Sequence, residues 1–281
     1  LMLESADIYL VLAAILGLLI GSFLNVVIYR LPKMLEIEWA ADCEPNSDMG
    51  RGKADTFNLV VPRSSCPHCG HQITWYENIP LFSYLALRGR CSQCQAKISV
   101  RYPLIEVTAA ALFYHCADTW GMTYSAMAWA SFASILLALA CIDWDTTLLP
   151  DVLTLPLLWL GLVAASLQWT QVSLFSSLWG AVAGYLSLWI VYWVFKIVTG
   201  KEGMGYGDFK LFAALGAWFG WQGLIPIILL SSVIGAIIGI GMKYSSGLRE
   251  GGYIPFGPFL AGAGFAMLVL GPYQISRFLG I

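Results

Sequence analysis

Gly203-Met-Gly-Tyr-Gly-Asp-Phe-Lys-Leu-Phe-Ala-Ala-Leu215 passes from a glycine-rich turn, through one carboxylate, straight into an apolar helix. A second carboxylate, Asp143, closes a long apolar run at Ala140-Cys-Ile-Asp-Trp-Asp145. Acids at the lip of apolar helices are costly beside a bilayer and are usually functional. Two carboxylates brought together can share one proton, leaving an acid and a base able to activate water for peptide hydrolysis.

Working outward, the rest of the chain supplies the membrane. Hydrophobic residues make up 58% of the 281 and charged residues only 11%, with a mean hydropathy of +0.72. A soluble domain of this length buries a core without such an excess. A net charge of −2 with no basic stripe gives no reason to expect nucleic acid. Stretches of roughly 17–25 apolar residues predict an all-α polytopic protein of about eight spans, near 8–29, 103–119, 124–142, 152–168, 174–198, 209–221, 223–242 and 256–276. The boundary at Gly220-Trp-Gln-Gly223 separates the sixth from the seventh. The first run follows Glu4 and Asp7 rather than basic residues and is too long for a cleaved signal, so it reads as a retained span. The pairs Gly17/Gly21, Gly216/Gly220 and Gly235/Gly239 permit close helix packing.

Orientation follows from the cations. With the amino terminus outside, 14 of the 15 Lys and Arg fall at inside ends or loops, Arg277 being the exception. Residues 30–101 carry nine of them. The positive-inside rule then makes that large loop cytoplasmic, together with the loops holding Asp143 and Asp208.

That loop contains Cys66-Pro-His-Cys69-Gly70 and Cys91-Ser-Gln-Cys94. Two such knuckles can set Cys66, Cys69, Cys91 and Cys94 around a structural zinc ion, stapling a subdomain too small to hold itself by burial alone. A reducing cytoplasm disfavours disulfides, although redox use stays open. His68 and His71 are not needed by an all-thiolate site, and Cys43, Cys116 and Cys141 read as bystanders. Residues 34–57 read as a flexible acidic insertion, with six acids against Arg51 and Lys53.

On physical grounds Asp143, Asp145 and Asp151 are all available beside the first apolar edge. Asp143 is the deepest, Asp145 reads as a solvated loop acid, and Asp151 follows Pro150 at a helix start. Asp208 sits near the N-cap of the helix that follows, and a purely structural cap remains its alternative.

The motifs taken together resemble the bacterial type IV prepilin peptidases, which are bifunctional leader peptidases and N-methyltransferases. Gly21-Ser-Phe-Leu-Asn-Val-Val-Ile-Tyr-Arg-Leu-Pro32 resembles the family's first-helix signature. Trp75-Tyr-Glu-Asn-Ile-Pro80, Leu87-Arg-Gly-Arg-Cys91 and Arg101-Tyr-Pro-Leu-Ile-Glu106 resemble its cytoplasmic signatures. G-x-G-D at 205–208 resembles the site of its second catalytic aspartate. The pattern D-x5-[I/L]-P-[D/N] fits Asp143 through Leu149-Pro150-Asp151 and so singles out Asp143.

The resemblance implies a first helix over 1–30, a zinc-binding and methyltransferase region over 31–102, and a peptidase domain over 103–281. It implies prepilin or pseudopilin substrates with a short basic leader, a glycine before the cut and an apolar helix after it. The new amino terminus would be methylated from S-adenosylmethionine, with Gly89, Glu77 and Glu106 as candidate residues. The expected location is the bacterial inner membrane, with the catalytic face in the cytoplasm. A cation- or proton-coupled transporter and a membrane-anchored binding module are the competing classes. The paired cysteines and the lack of clear internal repeats weigh against the transporter.

Overall fold

The computed structural model describes residues 5–43, 57–201, 203–244 and 254–280. Among them the regular structure is helical, with two isolated β-bridges in the cysteine segment. Contacts divide the chain into two compact units, Leu1–Met122 and Thr123–Ile281.

In the first unit, α1 (Ser5–Cys43) packs on α3 (Arg101–Trp120). Gly17 and Gly21 make this possible. A Cβ on Gly17 would lie 2.6 Å from Ala110 Cα, and one on Gly21 would lie 2.7 Å from Glu106 Cα. Lipid tails are as apolar as leucine, so close backbone approach and dispersion hold such helices together. Between them lie the cysteine segment, a short 3-10 turn at Trp75–Asn78 and the single-turn α2 (Phe82–Ala86). Buried Arg30 ties the preceding chain down, donating to the carbonyls of Asn58 at 2.9 Å and Pro62 at 2.7 Å.

The second unit holds α4 (Tyr124–Thr146), α5 (Asp151–Ser166), α6 (Leu174–Thr199), α7 (Tyr206–Tyr244), α8 (Gly257–Leu270) and α9 (Pro272–Leu279). Phe132, Leu136, Leu139 and Ile142 recur at helical spacing along α4 and are fully buried. They belong to the same core as Leu211 and Leu215 of α7 and Leu260 of α8. Aromatic rings of Trp129, Phe132, Trp218 and Phe219 lie 4.9–5.6 Å apart at their centroids. The indole N–H of Trp218 donates to the Leu157 carbonyl at 2.8 Å, and Gly161 leaves room for the ring. By contrast Ile190, Val191, Val194, Ile197 and Val198 of α6 are exposed, an apolar surface suited to lipid rather than water.

Two expectations change. Four helices, α1, α4, α6 and α7, are long and apolar enough to cross a membrane, or five if α8 and α9, bent by 112°, form one span. Eight spans are therefore not borne out among the described residues. The reasons are local: α5 has 16 residues, α3 carries Arg101, Glu106 and Asp118, and the spans expected at 209–221 and 223–242 are joined in α7. A boundary was nonetheless placed correctly, because Gly220 breaks the helical path with φ 74 and ψ 172. The second correction concerns residues 34–43, which continue α1 instead of forming a loop. Leu35, Glu36, Glu38, Ala40 and Ala41 are good helix formers, and no glycine interrupts them. The rest of the acidic insertion, 44–56, lies outside the described residues.

Candidate functional site

Asp143 occupies the last turn of α4, which ends where the Thr147 N–H bonds to the Asp143 carbonyl at 2.9 Å. Asp208 occupies the first turn of α7. Both belong to the second unit, and both are nearly sealed, at 4% and 5% exposed. The two carboxylates lie within electrostatic range of each other. Neither alternative acid shares this environment. Asp145 is exposed, and Asp151 is exposed and forms an ion pair with Lys210 at 2.6 and 2.8 Å, linking the start of α5 to the start of α7.

The surroundings of the pair are built from small residues. The Gly205 N–H donates to Asp208 Oδ2 at 3.3 Å, so the glycine turn holds the acid that follows it. Leu149 fills the space beside Gly207, where a Cβ would meet Leu149 Cβ at 2.6 Å. The same leucine reaches Gly257, whose Cβ position lies 3.1 Å from Leu149 Cδ1 and 2.5 Å from Asp143 Oδ2. The D-x5-L-P segment therefore contributes a leucine that packs between the starts of α7 and α8. Sequence reasoning missed Gly257 and the Lys210 partner of Asp151. The only signal for Gly257 was Pro258, which marks a helix start without indicating what faces it.

In the first unit, the sulfurs of Cys66, Cys69, Cys91 and Cys94 all lie within 4.8 Å of one another. Cys66 and Cys94 are 3.8 Å apart, and Cys69 and Cys91 are 3.9 Å apart. Tetrahedral zinc with bonds of about 2.3 Å separates its sulfurs by about 3.8 Å, so the donor set fits the ion. The two knuckles repeat one backbone plan. The Cys66 N–H bonds to the His71 carbonyl and the Cys91 N–H to Ala96, while the N–H groups of Gly70 and Gln95 return to Cys66 and Cys91. Hydrogen bonds from the Cys69 and His68 backbone hold the Cys66 thiol down to about 7, favouring the thiolate that a metal needs. His71 turns instead to Glu77, at 3.1 Å, and among the described residues the other three cysteines lie outside the cluster.

The remaining candidates serve the architecture of this segment in different ways. Glu77 closes a capping box, accepting from the Thr74 N–H at 2.8 Å and the Thr74 hydroxyl at 2.7 Å. The Ser92 hydroxyl, followed by these Thr74 groups, holds the Glu77 carboxyl down to about 2. Buried Glu106 accepts from the Leu81 N–H at 2.8 Å, where Leu81 has a φ of 59. Gly89 has a φ of 67, and a Cβ there would meet the Tyr84 hydroxyl at 2.8 Å. A turn and a ring together require glycine at this position.

Two family profiles match the chain, the bacterial peptidase A24 N-terminal domain over residues 15–120 and the type IV leader peptidase family over residues 130–240. A prepilin leader peptidase/N-methyltransferase of Pseudomonas aeruginosa is 55% identical over 94% of this chain and 90% of its own length. Proteins of the same name from Stutzerimonas stutzeri and Aeromonas hydrophila are 52% and 53% identical. They cover 96% and 94% of this chain, and 94% and 91% of their own lengths. No solved structure matches.

Proposed function

Because the chain belongs to the type IV leader peptidase family, we propose that Asp143 and Asp208 are the catalytic pair of a prepilin leader peptidase that also N-methylates the amino terminus it exposes. The observation that carries the assignment is the convergence of two buried carboxylates at the ends of α4 and α7, with the other nearby acids exposed. One aspartate takes a proton from water as it attacks the scissile carbonyl, while the other gives a proton to the leaving amine. The pair titrates as a unit, so the two roles belong to the pair rather than to fixed residues.

The substrate is a prepilin or pseudopilin. Its basic leader remains on the cytoplasmic side of the inner membrane and its apolar helix lies in the bilayer, consistent with the distribution of Lys and Arg in this chain. Cleavage is assigned to residues 103–281. Methyl transfer from S-adenosylmethionine is assigned to residues 31–102, with Glu106 at their edge. Bound there, S-adenosylmethionine would supply an activated methyl group, and the residues of this segment would have to hold the new amino terminus neutral and in line with it. Gly89 shapes the turn over Tyr84, while Glu77 and Glu106 fix the chain ahead of it, at Thr74 and Leu81. Zinc on the four thiolates would leave no open position for substrate, so its contribution is to hold this segment folded.

Asp143→Asn and Asp208→Asn are each expected to abolish cleavage of a purified prepilin while leaving membrane insertion and thermal unfolding unchanged. Normal processing by either variant would refute the pairing. A transporter would leave the prepilin at full length in every case.

A further inference from the structure

Gly257 stands at the first position of α8, followed by Pro258. Glycine is the poorest helix former other than proline, and here its backbone does not require it, since Gly257 is absent from the glycines with positive φ. Space requires it instead. The position a Cβ would take lies 2.5 Å from Asp143 Oδ2 and 3.1 Å from Asp143 Cγ, far inside van der Waals contact. Gly205, within the aspartate motif itself, has room to spare: a Cβ there would meet only Asp208 Oδ2, at 3.8 Å.

We propose that Gly257 is a positioning residue for peptide hydrolysis: the Asp143 carboxylate lies in the volume a side chain at 257 would take, so the start of α8 fixes where that carboxylate sits. The inference rests on the assignment of Asp143 to the catalytic pair. The other neighbour is Leu149, whose Cδ1 is 3.1 Å from the same point. The space at 257 is thus bordered by the carboxylate and by a leucine, and one added methyl group displaces the carboxylate. A carboxylate held in a productive pose loses much of its effect when moved by an ångström or less. The expected defect is therefore in turnover rather than in substrate binding.

The test uses the full-length protein in detergent or bilayer with a prepilin substrate. Gly257→Ala is expected to lower kcat by at least tenfold with KM changed less than threefold. Gly264→Ala is the comparison, since its Cβ would meet only side chains, Leu215 at 2.9 Å and Leu136 at 3.1 Å. It should lower the unfolding temperature while kcat per folded molecule stays near wild type. The Gly257→Ala unfolding temperature should also fall, and Asp143→Ala should recover most of the loss in the double variant, by removing the atoms that clash. That thermal comparison stands even if Gly257→Ala accumulates poorly. Wild-type kcat in folded Gly257→Ala would overturn the inference, as would recovery of stability by Leu149→Ala in place of Asp143→Ala. Failure of the catalytic pairing itself is separately visible, as retained cleavage by Asp143→Asn.

Discussion

At the scale of single residues, the glycines around Asp208 are not equivalent. Gly207 lacks room for a methyl group because Leu149 Cβ would be 2.6 Å away, whereas Gly205 has only an ordinary contact at 3.8 Å. Neither has a positive φ. Gly207→Ala is therefore expected to cost about 1–3 kcal/mol as an overpacked site, and Gly205→Ala to leave thermal unfolding within about 0.5 kcal/mol of wild type. Unfolding curves of the purified variants distinguish them, and equal losses would contradict the geometry. Glu77 gives a pH prediction. Its carboxyl is held at about 2, below its ordinary 4.5, by Ser92 and Thr74. A lowered folded value means the carboxylate's contribution is complete above the ordinary range and is lost as pH falls from about 4.5 toward 2. Amide exchange at Thr74, corrected for intrinsic rate, should accelerate over that interval. In Glu77→Gln it should already be fast at pH 6 and show no such step.

At the scale of elements, α6 and α7 meet through glycine. A Cβ on Gly180 would run into the Gly216 carbonyl, and one on Gly184 would lie 2.7 Å from the Phe212 carbonyl. Backbone cannot swing aside as a side chain can, so Gly180→Ala is expected to destabilise by about 1–3 kcal/mol. Gly241→Ala, with nothing within 4 Å, should be neutral or slightly stabilising through better helix propensity. Thermal unfolding in detergent reads both, and a neutral Gly180→Ala would show that the two helices separate without cost. The sequence identified Gly216/Gly220 as a close-packing pair, and the structure adds Gly180 and Gly184 on the facing helix. It also gives Gly220 a second task. Its φ of 74 breaks α7 where Trp221 and Gln222 follow, which explains why composition alone placed a boundary there.

At the scale of the whole molecule, the cysteine cluster belongs to one compact unit and the aspartate pair to the other. The two chemistries should then separate by mutation. Asp143→Asn is expected to methylate a pre-cleaved pilin amino terminus at near wild-type rate. Cys69→Ser, or metal removal by a chelator, should increase proteolysis within residues 64–99 and reduce methyl transfer more than cleavage. Labelled S-adenosylmethionine with pre-cleaved and intact substrates measures both arms. Loss of both activities in both variants, with folding intact, would show a single shared site.

What the sequence determined by itself is local in origin. Apolar run length, the Cys-x-x-Cys spacing and the glycines before Asp208 each record a constraint spanning a few turns of chain. They were enough for the helical class, the four-sulfur cluster and the acid at 208, whereas choosing Asp143 over Asp145 and Asp151 took the resemblance to a family pattern. Helix ends were harder. The continuation of α1 to Cys43 was masked by its acidic residues, which favour a helix as readily as a solvated loop. Tertiary structure alone decided the partners across helices: Gly257 at Asp143, Lys210 at Asp151, and the Trp218 indole at the Leu157 carbonyl. Each is a contact between helices far apart in the chain. Such contacts are fixed by the order and closeness of packing, and a glycine chosen for the space it leaves carries no side chain through which the sequence could announce it.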